Sequence, residues 1–195
     1  MHLDWNTELR GQLDYHWQHQ LRPRLDGLTD REYLWEPVPG AWSVRARGQS
    51  TAPVAAGAGD LVIDFAYRQP IPAPVTTIAW RIAHLVVAVF GMRVAGHFAG
   101  PPINYQSHTY AGTAAAALEQ LDQGYAAWTE GVRGLGEPGL TEPCGPTEGP
   151  LADWPMAALV LHINREVLHH GAEITLLRDL YAATPCTGSD TDVPG

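Results

Sequence analysis

HINREVLHHGAEITLLRDLY, residues 162–181, is the stretch whose reading decides the fold of this 195-residue chain. An α-helix turns about 100° per residue, so Met156, Leu159, Ile163, Ile174, Leu177 and Tyr181 gather within about 40° of one line. They form a core-facing stripe. Glu166 and His170 fall inside that stripe, while Glu173, His162 and His169 lie progressively off one edge. A carboxylate and an imidazole therefore point inward from adjacent turns, their Cβ atoms about 5–6 Å apart.

Working outward, Asp153 with Pro155 just inside reads as the start of this fourth helix, which runs to about residue 183. An amphipathic first helix is expected over 4–22, where Trp5, Leu9, Leu13, Trp17 and Leu21 recur every four residues and Pro23 closes the run. The second, over 75–98, is apolar nearly all round and hence buried. The third, over 111–133, carries Leu118, Leu121, Tyr125 and Trp128 as its stripe, weakened by Gly124. Residues 26–74 are punctuated by Pro and Gly and read as a long irregular excursion, with one alternating run, 61–67, of strand type. The expected architecture is all-α, an antiparallel four-helix bundle in one domain over 1–185, with 186–195 a disordered tail.

Composition narrows the chemistry. All twelve basic residues are arginine, and there is no lysine. That excludes Schiff-base lysine enzymes and Walker-type phosphate loops, which need the ε-amine. A net charge of −9 argues against a nucleic-acid partner. Cys144 and Cys186 form no CxxC pair. The start MHLDWNTELR does not read as a secretory signal, and the greasy run 78–90 is too short for a bilayer and holds Arg81 and His84. A soluble, cytoplasmic protein with no membrane partner is expected.

A buried carboxylate costs several kcal/mol unless it is paired or binds a metal. In TIAWRIAHL, His84 shares a face with Trp80, Ala88 and Gly91. If that face turns inward, His84, Glu166 and His170 make a two-histidine, one-carboxylate set with open coordination positions. The alternative is a metal-free polar cluster in which Arg81 or an imidazolium neutralises Glu166, and spacing alone leaves both open. A di-iron site would need a second ExxH, which is absent. His162, one turn before Glu166, is either an outer partner of the carboxylate or a rim residue. Trp80 either walls the site or belongs to the core. Ser43 lacks a GxSxG setting and reads as a turn or cap. Cys144 has no basic neighbour in sequence to activate it.

The run 162–181, with TIAWRIAHL and LWEPVPGAWSVR, resembles the DinB-like bundle proteins. It is most similar to the branch containing mycothiol-dependent maleylpyruvate isomerase and related thiol transferases. The resemblance implies that His84, Glu166 and His170 hold a divalent ion, zinc first, with nickel, manganese or iron as alternatives. It further implies a low-molecular-weight thiol as cofactor, a small-molecule substrate, and thiol transfer, isomerisation or hydrolysis as the reaction. His162 and Glu173 are the candidates for catalytic groups. A homodimer is a further implication, and the other function class is a non-catalytic metal- or ligand-binding stress-response module. The chain departs from the family where Glu166 stands in place of a histidine that many members carry, and where Glu173 replaces a further histidine of the thiol-dependent branch.

Overall fold

The computed structural model describes residues 3–68 and 70–185. The expected tail, together with Cys186 and His2, lies outside the described residues. Helix α1 spans Trp5–His16 and opens on Asp4, whose carboxylate accepts the N–H groups of Asn6 and Thr7 at 3.1 and 3.4 Å. The chain stays helical through a π-helical turn, Trp17–Leu21, and a 3-10 turn, Arg22–Leu25. Pro23 therefore does not close the run where the sequence suggested. It sits in the first turn of the 3-10 segment, where a missing N–H leaves no bond unmade.

The expectation of an all-α chain with an irregular excursion is not met. Residues 26–74 contain a one-turn helix, α2 (Asp30–Tyr33), closed by a reciprocal capping box between Thr29 and Glu32. They also contain three strands, β1 (Val44–Ala46), β2 (Val54–Ala56) and β3 (Leu61–Phe65), in an antiparallel sheet of order β1-β3-β2. The alternating run became the central strand. Its two neighbours have three residues each, too few for a period of two to register among the surrounding Pro and Gly.

The second helical stretch is continuous from α3 (Ile78–His84) through a π-helical segment (Leu85–Gly91) to α4 (Met92–His97). Thr77 caps it by accepting the Trp80 N–H. This 20-residue helix is long and apolar enough, by composition, to cross a membrane, which corrects the shorter stretch read from sequence. Over half of that window, 56%, is buried within the protein, and Ile78, Ile82, Leu85 and Phe90 are fully enclosed, as befits a core helix.

Helix α5 (Ala114–Thr141) outruns its expected end at 133, kinking at Gly136, whose φ of 56° lies in the left-handed region. At Gly124 a Cβ would stand 3.2 Å from the Phe90 side chain, so the glycine that weakens the helix also lets the second stretch pack closely. Helix α6 spans Met156–Ala183. Asp153 is not its cap. Pro155 occupies that position with no side-chain bond, and the Met156 N–H donates instead to the Glu142 carbonyl at 2.8 Å. The molecule is thus mostly helical, four long helical stretches packed around Leu21, Phe90, Leu121, Trp128, Ile163 and Ile174, with one small sheet.

Candidate metal centre

The sheet fixes the helix that carries His84. Asp64, on β3, is buried and accepts from the Ser43 N–H (2.9 Å), Arg45 Nε (2.9 Å) and Ser50 Oγ (2.5 Å), so its charge is met from three sides. The Asp64 carbonyl then accepts from the Trp80 indole N–H at 2.8 Å, and Ser43 Oγ shares a hydrogen bond with the capping Thr77. Trp80 in turn lies nearly parallel to the His84 imidazole, 14° between planes and 5.3 Å between centres. Trp80 thus packs both against the core and on the His84 ring, and Ser43 anchors the helix that bears it.

His84, Glu166 and His170 come together, each offering a ligand atom within 4.8 Å of the others'. The two imidazoles meet edge to face at 4.7 Å between centres. His170 Nδ1–H donates to Glu173 Oε2 at 2.7 Å, which turns its Nε2 toward Glu166 Oε2, 3.5 Å away. His84 Nδ1 is likewise engaged, by the Tyr105 hydroxyl at 2.6 Å, leaving Nε2 as its free nitrogen. Metal-ligating histidines show this pattern, the distal nitrogen held by a carboxylate or hydroxyl and the other free for an ion.

The electrostatics match. Burial pushes the His84 imidazole down to about 3, with His170 and Arg81 reinforcing the shift and Glu173 opposing it, so the ring is neutral at ordinary pH. Burial raises the Glu173 carboxyl, but the His170 hydrogen bond and the Arg81 charge outweigh it and hold the group below its usual range. Arg81 Nη2 pairs with Glu173 Oε1 at 3.1 Å. Arg81 also approaches His170 Nδ1 at 3.3 Å, but a nitrogen whose proton is committed to Glu173 cannot accept from it. A neutral His84, a second imidazole and a carboxylate, with ligand atoms within 4.8 Å of one another, fit a divalent ion.

The catalytic candidates fall differently. Glu173 is tied to both His170 and Arg81, which makes it an orienting partner rather than a free base. With His169 and His170 it forms a second group of closely spaced ligand atoms, but Arg81 already occupies that side. His162, whose side chain is 40% exposed, accepts from Arg165 Nη2 at 3.0 Å and stands 3.6 Å from Glu166, beyond a hydrogen bond. Among the described residues Glu166 accepts no hydrogen bond. Sequence reasoning missed Tyr105 and the Arg81–Glu173 pair. Tyr105 lies outside any periodic segment, and nothing local marks it. Arg81 stands three residues before His84 on the same helix, and the metal-free alternative offers it to Glu166, whereas its partner is Glu173. Cys144 is buried, and that burial pushes its thiol up, away from the thiolate a nucleophile needs.

Compared with known families, the chain matches a family model described as DinB superfamily over residues 59–174, a span that holds β3, the His84 helix, α5 and the ligand-bearing turns of α6. No curated protein and no solved structure gives a match.

Proposed function

This chain belongs to the DinB superfamily, and from that premise we propose that it is a divalent-metal-dependent enzyme whose ion is held by His84, Glu166 and His170. The observation that carries this reading is the shared orientation of the two imidazoles. Each is fixed through Nδ1, by Tyr105 or by Glu173, so that Nε2 is presented beside a carboxylate that, among the described residues, has no hydrogen bond of its own. Zinc is the ion we favour, because two imidazoles and one carboxylate with room for a further ligand is a catalytic zinc set. When bound, the ion would supply Lewis acidity, lowering the pKa of a water or thiol at an open position.

The residues have separable duties in this reading. Tyr105 and Glu173 hold the rings and their tautomers. Arg81 keeps Glu173 ionised, and Trp80 closes the side of the site facing the sheet. Thiol transfer, thiol-assisted isomerisation and hydrolysis are the reactions we propose, with the mycothiol-dependent branch favoured by a glutamate, rather than a histidine, four residues before the last ligand. We also propose the bundle arrangement of that family for the four long helices.

The test is metal analysis of protein purified without chelator. Stoichiometric zinc, nickel, manganese or iron is expected, lost in both Glu166→Ala and His84→Ala. A protein that cannot be loaded with any of these ions refutes the centre. Loading with no thermal response across a panel of low-molecular-weight thiols would favour the second reading, a non-catalytic metal-binding module.

A further inference from the structure

A cavity of about 470 Å³ is lined in part by His162, whose Nδ1 stands 3.6 Å from Glu166. Its volume falls in the range of small-molecule sites, about 300–1,000 Å³. Its apolar wall comes from Leu151, Trp154 and Leu159, and its polar groups are Arg93, Glu148, His162 and Arg165. Glu148 is spent internally, meeting His97 Nε2 at 2.9 Å and Arg93 Nε at 3.3 Å on the same oxygen. Arg165 is not. Among the described residues it has no carboxylate partner, and its one hydrogen bond goes to His162 Nδ1. An unpaired guanidinium thus stands at the rim, in a protein of net charge −9, beside an indole that is 55% exposed.

We propose that this cavity binds a small organic acid with an apolar, ring-sized body, its carboxylate held by Arg165 and its body laid against Trp154 and Leu151. The guanidinium fork matches a carboxylate in two parallel hydrogen bonds, and the indole face supplies apolar area with little entropy to lose. His162 then links the two sites, since its Nδ1 accepts from Arg165 and stands 3.6 Å from Glu166. An adjacent depression of about 680 Å³ beyond Leu161, lined by Trp5, Leu9 and Leu140, has no arginine in its lining to hold a carboxylate. That this acid is the substrate rests on the metal-centre reading. That it binds does not.

The experiment is calorimetric titration of chelator-treated, full-length protein with 2-naphthoate and with the neutral 2-naphthamide. Saturable naphthoate binding is expected, weakened about tenfold or more in Arg165→Gln, because a charge-assisted pair is lost. The amide should bind weakly and ignore that substitution, and Trp154→Ala should weaken both ligands. Unchanged unfolding midpoints in the two variants establish that they fold. Absence of saturable naphthoate binding, or binding indifferent to Arg165→Gln, overturns the proposal. Because no metal is present, a failed zinc-loading experiment would refute the centre while leaving this result standing, and the reverse holds as well.

Discussion

One helical stretch, Ile78–His97, carries two histidine–glutamate clusters, and they are built to opposite plans. At its C-terminal end His97 hydrogen-bonds Glu148, whose side chain is 7% exposed, at 2.9 Å, and Arg93 forms an ion pair with the same oxygen at 3.3 Å. At the level of His84 the nearest imidazole stops 3.5 Å from Glu166, 28% exposed, and the histidines spend their Nδ1 atoms on Tyr105 and Glu173 instead. The first cluster is closed, every charge answered by a neighbour. The second is open, with three good donors facing one another and no bond among them. A closed cluster stabilises the fold, whereas an open one has its ligand atoms oriented for something else.

The contrast breaks most sharply under carboxylate removal. Glu148→Ala should cost about 3 kcal/mol, since it strands a half-buried guanidinium, read as a fall in the urea midpoint of metal-free protein. Glu166→Ala should leave that midpoint close to wild type, because no hydrogen bond to Glu166 is lost. Equal losses in the two variants would mean that the His84 cluster is also closed. Next in size is the response to metal. Zinc at about a hundredfold over its dissociation constant should raise wild-type stability by about 2.7 kcal/mol, and chelator should reverse it. Glu166→Ala should show no such rise, and Glu148→Ala should show it in full.

Smaller again is Tyr105→Phe, which removes the hydroxyl from His84 Nδ1 while keeping the ring. Zinc affinity should fall by about tenfold, the usual loss when an outer partner of a ligand is removed. The metal-free unfolding midpoint should hardly move. A loss of stability without a loss of affinity would reassign Tyr105 to the core.

These clusters also mark where the sequence could be read and where it could not. The open one was legible because both its ligands on α6 lie four residues apart within an apolar stripe, and a helix turns such spacing into adjacency. His84 came from a face argument of the same kind. The closed cluster was not, because Glu148 sits in a Gly- and Pro-rich connection with no period, 51 residues from His97. The sheet was missed for a related reason. Strands of three residues carry no readable alternation, and nothing local marks Asp64 as the buried acceptor for the Ser43 N–H, Arg45 and Ser50. Helix ends were misplaced where a backbone bond replaced a side-chain cap, as at Met156, or where a 3-10 turn absorbed a proline, as at Pro23.

The smallest effect expected is on acid stability, and it tests a third carboxylate, closed like Glu148, without any metal. Glu32, buried under α6, accepts from Arg178 Nε at 2.9 Å and from the Thr29 N–H. Burial alone would raise its carboxyl, but the Arg178 hydrogen bond, the Thr29 N–H and the Arg178 charge together hold it below the usual range. A folded-state pKa below the unfolded one, about 4.3 for glutamate, means the unfolded chain binds the proton first as pH falls. The stability this group contributes is therefore fully present above the unfolded value and drains away as pH drops through the folded one. Unfolding midpoints of metal-free protein between pH 6 and pH 3 should accordingly decline less in Glu32→Gln than in wild type, from a lower starting point. Parallel declines in Glu32→Gln and wild type would show that Glu32 draws no pH-dependent stability from Arg178 and Thr29 in the metal-free fold.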